Sequence, residues 1–144
     1  MKNLVEKYSF MFGIAGVLIA LDQWTKWLVR ANIMLGDSWL PESMAWLSPY
    51  ARIVNWYNTG AAFGMFQGGR LFFIVASVAA VVLISIVALR LPREERSRRL
   101  WLGLILGGAI GNLIDRILHG EVIDFLQIGF RGHYWPVFNV ADMA

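Results

Sequence analysis

The chain has 144 residues, 58% of them hydrophobic and 16% charged, where roughly half apolar is usual for a soluble domain. With no cysteine, disulfides, thiol catalysis and thiolate metal sites are excluded. The formal charge of +3 comes without basic–aromatic interleaving, so it implies no nucleic-acid partner.

The first apolar run covers residues 9–28. Lys2 and Lys7 precede it, as in a secretory signal peptide. The run is too long for one, lacks an A-x-A-like cleavage site and continues through Asp22, Gln23 and Lys26, so it reads as a retained helix. A helix of about 20 residues spans roughly 30 Å, the thickness of a bilayer's hydrocarbon core. Asp22 and Lys26 are four residues apart, on one helical face, where they neutralise each other as a structural ion pair.

Residues 31–70 form an outer segment that carries Gly36, Pro41, Pro49, Gly60, Gly64, Gly68 and Gly69, so one continuous helix is excluded. Within it, Arg52 to Asn58 is rich in β-branched and aromatic residues and reads as a strand. Trp39, Trp46, Tyr50, Trp56 and Tyr57 suit a membrane interface. Asn58-Thr-Gly60-Ala-Ala-Phe-Gly64 is a turn able to approach a peptide backbone, with Asn58 and Gly60 as candidate substrate contacts.

The second apolar run covers residues 71–89 and carries no charge. The loop 90–99 holds five arginines in ten residues, which marks it as cytoplasmic and places the N-terminus on the same side. The third run covers residues 100–118. Gly103, Gly107, Gly111 and Asp115 recur every fourth residue, as do Gly108, Asn112 and Arg116. The glycines permit close helix contact. The polar ends of both stripes then face the bundle, with Asp115 a structural polar residue.

The second outer segment spans residues 119–138 and contains a strand-like stretch, Val122 to Ile128. His119 and His133 read as loop residues, and no metal-ligand spacing joins them to an aspartate. From about residue 139 the chain looks like the start of a fourth helix, with Asn139 as N-cap and Asp142 three positions later. The expected fold is a mainly α membrane protein of one domain, residues 1–144. It has a transmembrane bundle of three helices plus the start of a fourth, and a small β-rich periplasmic platform.

Asp124 and Asp142 both lie in apolar surroundings, where carboxylates are costly and therefore functional candidates. Two carboxyl groups held together share one proton, so one serves as base and the other as acid. That pairing supports peptide hydrolysis without metal or cofactor. Arg116 is a fixed cation nearby in sequence, able to bias their ionisation or hold a substrate carbonyl. The competing reading is a small transporter or channel lined by intramembrane Asp and Arg.

Five motifs occur in order: Leu21-Asp22-Gln23-Trp24-Thr25-Lys26, Asn58 to Gly64, Gly111-Asn112-Leu-Ile-Asp115-Arg116, Val122-Ile-Asp124-Phe125 and Phe138-Asn139-Val-Ala141-Asp142. Together, from Asp22 to the last residue, they resemble bacterial lipoprotein signal peptidase (signal peptidase II). The resemblance implies a four-helix inner-membrane aspartyl endopeptidase that cuts prolipoproteins before a diacylglyceryl-modified cysteine. It implies membrane lipid and a globomycin-type inhibitor as further partners. It matches Asp124 and Asp142 to the catalytic pair, and Asn58, Asn112, Arg116 and Asn139 to polar residues around it.

Overall fold

The computed structural model describes residues 2–59, 69–92, 95–130 and 133–144, with side chains from residue 8 onward. Gly60 and the turn that follows it lie outside the described residues. In chain order the elements are α1 (Lys2–Asn32), β1 (Ser38–Trp39), a 3-10 turn (Glu42–Leu47), β2 (Ala51–Asn58), α2 (Arg70–Arg90), α3 (Arg96–Leu118), β3 (Val122–Phe130), β4 (His133–Tyr134) and a 3-10 turn (Ala141–Met143).

The three apolar runs are all helical, and each helix outruns its apolar segment. Polar residues at the ends extend a helix without cost once it leaves the hydrocarbon layer. Two of the described helices, Arg70–Arg90 and Arg96–Leu118, are long and apolar enough to cross a membrane. Helix α1 carries Asp22 and Lys26 within its length. Its buried positions, Met11, Ala15, Asp22, Lys26 and Val29, fall on one face. Phe12, Val17, Trp24 and Trp27 point the other way and are more than half exposed. Such an outward apolar surface suits lipid.

Helix α3 packs against both α1 and α2. Its glycine stripes explain the close approach. A Cβ at Gly103 would stand 2.7 Å from the Met11 carbonyl oxygen, and one at Gly107 would stand 3.0 Å from that of Ala15. Met11, Ala15, Ala88 and Leu106 form the core between the helices.

The strands make one antiparallel sheet in the order β1-β2-β3-β4. β2 and β3 pair directly, although α2 and α3 lie between them in sequence. The sheet therefore holds together the two ends of a helical hairpin. It lies at the end of the bundle where α1 and α3 finish and α2 begins. Two devices fix that junction. Arg70 donates from Nε to the Arg116 carbonyl at 3.1 Å and from Nη2 to the Ile117 carbonyl at 3.0 Å, satisfying orphan acceptors at the end of α3. Gly120, at φ 87°, then turns the chain into β3. Asn55 ties the end of α1 to β2 by donating to the Ile33 carbonyl at 2.7 Å.

The register of β2 on β3 places Asp124 opposite Trp56 and Val122 opposite Asn58. Phe138 bridges to Leu126, which brings the last segment of the chain back beside β3.

Candidate active site

Five elements converge on one polar cluster: α1, β2, α3, β3 and the segment Asn139–Asp142. Most of it is buried, so each polar atom needs a partner.

The deepest part is an ion cluster. Lys26 Nζ lies 2.8 Å from Asp22 Oδ2 and 2.8 Å from Asp115 Oδ2, and all three side chains are fully buried. Its third proton goes to Asn112 Oδ1 at 2.9 Å. The ammonium has three donors, and three acceptors meet them. Asp22 and Asp115 are like charges sharing one cation. Gln23 stands between them, donating to Asp22 Oδ2 at 3.2 Å and to Asp115 Oδ1 at 3.0 Å. Each carboxylate also anchors a neighbouring segment. Asp22 Oδ1 accepts the Ala141 N–H at 3.0 Å, and Asp115 Oδ2 accepts the Ile123 N–H at 3.3 Å. The ion cluster thus positions the two segments that carry Asp124 and Asp142.

Above it lie those two aspartates. Asp124, 2% exposed, takes one amide donor on each oxygen: Asn139 Nδ2 at 2.7 Å on Oδ1 and Asn58 Nδ2 at 2.9 Å on Oδ2. Asp142 is exposed. Its Oδ1 accepts from Asn112 Nδ2 at 2.8 Å, and its Oδ2 accepts the Asn139 N–H at 3.1 Å. The Asp142 N–H returns to Asn139 Oδ1 at 3.1 Å. This reciprocal pair is a capping box, with Asn139 as cap and Asp142 three residues on.

Asn139 therefore bridges both aspartates, through its side chain to Asp124 and its backbone to Asp142. Burial pushes the Asp124 carboxyl up to about 7. The charge of Asp142 acts in the same direction, against the Asn58 and Asn139 hydrogen bonds and the attraction of Lys26.

The expected residues among those described come together with one qualification. Arg116 makes no ion pair with either aspartate among the described residues. Its guanidinium stacks 5.4 Å from the Phe73 ring centroid and reaches Ser77 Oγ and the Asn112 carbonyl at 3.5 and 3.4 Å. It stays close enough to attract both carboxylates. The structure also gives specific contacts to two residues that the sequence analysis named without one. Gln23 separates the two buried carboxylates, and a lone amide inside an apolar run was its signal. Gly108 admits the last segment, for a Cβ there would stand 2.4 Å from the Ala141 carbonyl oxygen.

Comparisons with known proteins give the chain's family and fold relatives. Residues 14–144 match the family described as Signal peptidase (SPase) II. The chain is 44% identical over 131 residues to the lipoprotein signal peptidase of Geobacillus thermodenitrificans, covering 91% of this chain and 79% of that one. It is 43% identical to the lipoprotein signal peptidase of Brevibacillus brevis, with 91% and 83% covered. A solved bacterial membrane enzyme superposes with a TM-score of 0.80 at 29% identity, covering 92% of this chain and 78% of the other.

Proposed function

The chain belongs to the signal peptidase II family, and we propose that Asp124 and Asp142 are the aspartates with which it hydrolyses its substrate. It is an aspartic peptidase of the bacterial membrane that removes signal peptides from lipoprotein precursors. The observation that carries the assignment of the pair is Asn139, which hydrogen-bonds both carboxylates at once.

The mechanism follows from the setting. The signal helix of the precursor enters laterally, keeping its apolar body in lipid. Water sits between Asp124 and Asp142, where one carboxylate takes its proton and the other carboxyl donates to the scissile carbonyl. Arg116, near enough to attract both carboxylates, stabilises charge that develops on the substrate. Asn58, a donor to Asp124, flanks the cleft. The diacylglyceryl group on the cysteine sets the depth of the scissile bond, and cleavage falls on the cysteine's N-terminal side.

The orientation follows from charge. The basic stretch 90–99 stays in the cytoplasm, so the sheet and the aspartates lie at the periplasmic face of the inner membrane. The enzyme acts as a monomer, with the glycine stripes of α3 used within the chain. A globomycin-type inhibitor occupies the same cleft. A transporter would need polar groups through the membrane depth, whereas here they gather at one end of the bundle.

The test is mass spectrometry of products from the purified enzyme and a diacylglyceryl-modified prolipoprotein. The expected product begins with the lipidated cysteine, and an excess of chelator leaves the rate unchanged. Cleavage at another bond, or equal cleavage of the unlipidated precursor, refutes the substrate assignment. Inhibition by chelator points to a metal.

A further inference from the structure

Arg116 is held by α2, a helix that contributes no residue to the polar cluster. Its guanidinium stacks 5.4 Å from the Phe73 ring centroid and donates to Ser77 Oγ at 3.5 Å. Phe73 and Ser77 are four residues apart, on one face of α2. Both are half-buried there, whereas Leu71, Phe72 and Val75 are more than half exposed. Ser85, further along, donates to its own helix at the Val81 carbonyl.

The hold extends to the backbone. Arg70, one turn before Phe73, donates to the carbonyls of Arg116 and Ile117. Helix α2 therefore fixes both the main chain and the side chain of Arg116. The Phe73 ring is itself fixed. Its N–H donates to the Gly69 carbonyl at 3.0 Å, in the first turn of α2. The Phe72 ring packs edge-on against it, with centroids 5.3 Å apart.

Arg116 stands one turn beyond Asn112, whose Oδ1 accepts from Asn139 Nδ2 at 3.2 Å. The same amide nitrogen donates to Asp124 Oδ1 at 2.7 Å. The guanidinium is thus beside the site, yet among the described residues it makes no ion pair with an aspartate. An unrestrained arginine near two carboxylates would close on one of them in bidentate contact. The paired carboxylate would then stay ionised, and the site would lose its acid. A planar guanidinium stacked on a ring resists that collapse.

We propose that Phe73 is a positioning residue for the reaction: its ring holds the Arg116 guanidinium beside the two aspartates and out of an ion pair with either. This role rests on the reading above that Arg116 stabilises charge developing on the substrate. Ser77 supplies a second, longer contact on the same face.

The test is a double-mutant cycle on cleavage of a diacylglyceryl-modified prolipoprotein by the full enzyme. It uses Phe73→Leu, Arg116→Lys and the two combined, with Phe73→Tyr as the conservative variant. Phe73→Leu lowers kcat roughly tenfold and leaves KM within about twofold, the scale of one desolvated cation–π contact. Phe73→Tyr keeps the aromatic face and stays within about twofold of the parent. A lysine ammonium is a compact point charge with no plane to stack, so in the Arg116→Lys background Phe73→Leu costs less than about twofold more. A parent rate for Phe73→Leu, an equal loss in both backgrounds, or an equal loss for Phe73→Leu and Phe73→Tyr overturns the positioning role and leaves the reading of Arg116 standing. Parent cleavage by Arg116→Lys sinks that reading, and the role of Phe73 with it. If Phe73→Leu does not fold, NMR of the parent decides. The Arg116 Nε–H signal, assigned by its absence in Arg116→Lys, is displaced upfield by the ring current of Phe73; an undisplaced signal overturns the positioning role.

Discussion

Lys26 donates to Asn112 Oδ1 at 2.9 Å, and this bond sets which end of the Asn112 amide meets Asp142. The buried ion cluster is thereby coupled to the candidate site. Lys26→Met leaves Asp22 and Asp115 buried without their cation. Removing one partner of a buried pair costs about 3–5 kcal/mol. The expected result is that much lost stability in denaturant titration of the detergent-solubilised protein, and stability within about 1 kcal/mol of the parent speaks against a charged cluster.

Much of this arrangement was legible in the sequence, for reasons that differ by residue. Asp22 and Lys26 declared their contact because four residues make one helical turn. The strands around Asn58 and Asp124 showed in β-branched and aromatic composition. Asn139 and Asp142 showed as a cap and its partner. The third member of the ion cluster, Asp115, lies 89 positions from Lys26 and meets it only through the packing of α1 on α3. Spacing cannot report such a contact. The Phe73 stacking of Arg116 was hidden for the same reason.

Gly108 and Gly103 test two different contacts of one helix. A Cβ at Gly108 meets the Ala141 carbonyl oxygen at 2.4 Å, whereas one at Gly103 meets that of Met11 at 2.7 Å. Gly108→Ala displaces the segment that carries Asp142, and misplacement by about 1 Å costs on the order of 100-fold in rate. Gly103→Ala separates α1 from α3 and costs about 1–3 kcal/mol through overpacking. Paired melting and cleavage assays should show the larger activity loss per unit of stability for Gly108→Ala.

The raised Asp124 carboxyl gives activity an alkaline limit. One proton must remain on the pair, so cleavage declines as pH rises through about 7. The sign for stability is the same. The folded value lies above the ordinary 3.8, so protonation favours the folded state. This group's contribution is greatest below about 4 and declines as pH rises to about 7. In Asp124→Asn the slope of stability against pH in that window should flatten, and an unchanged slope would exclude Asp124 as its source.

The proposed topology is checked by single cysteines, which this cysteine-free chain accepts without background. Ser43→Cys in the outer segment should react with an impermeant thiol reagent in spheroplasts. Ser97→Cys in the basic stretch should react only after the cells are opened. The reverse pattern would invert the orientation.

The most direct measurement is cleavage of a diacylglyceryl-modified prolipoprotein by Asp124→Asn and by Asp142→Asn, each with the melting curve of its folded form. Both variants should fold, and both should lose cleavage by about 10²–10⁴-fold, as expected when an acid–base partner is removed. Near-parent cleavage by either variant would contradict a two-aspartate mechanism.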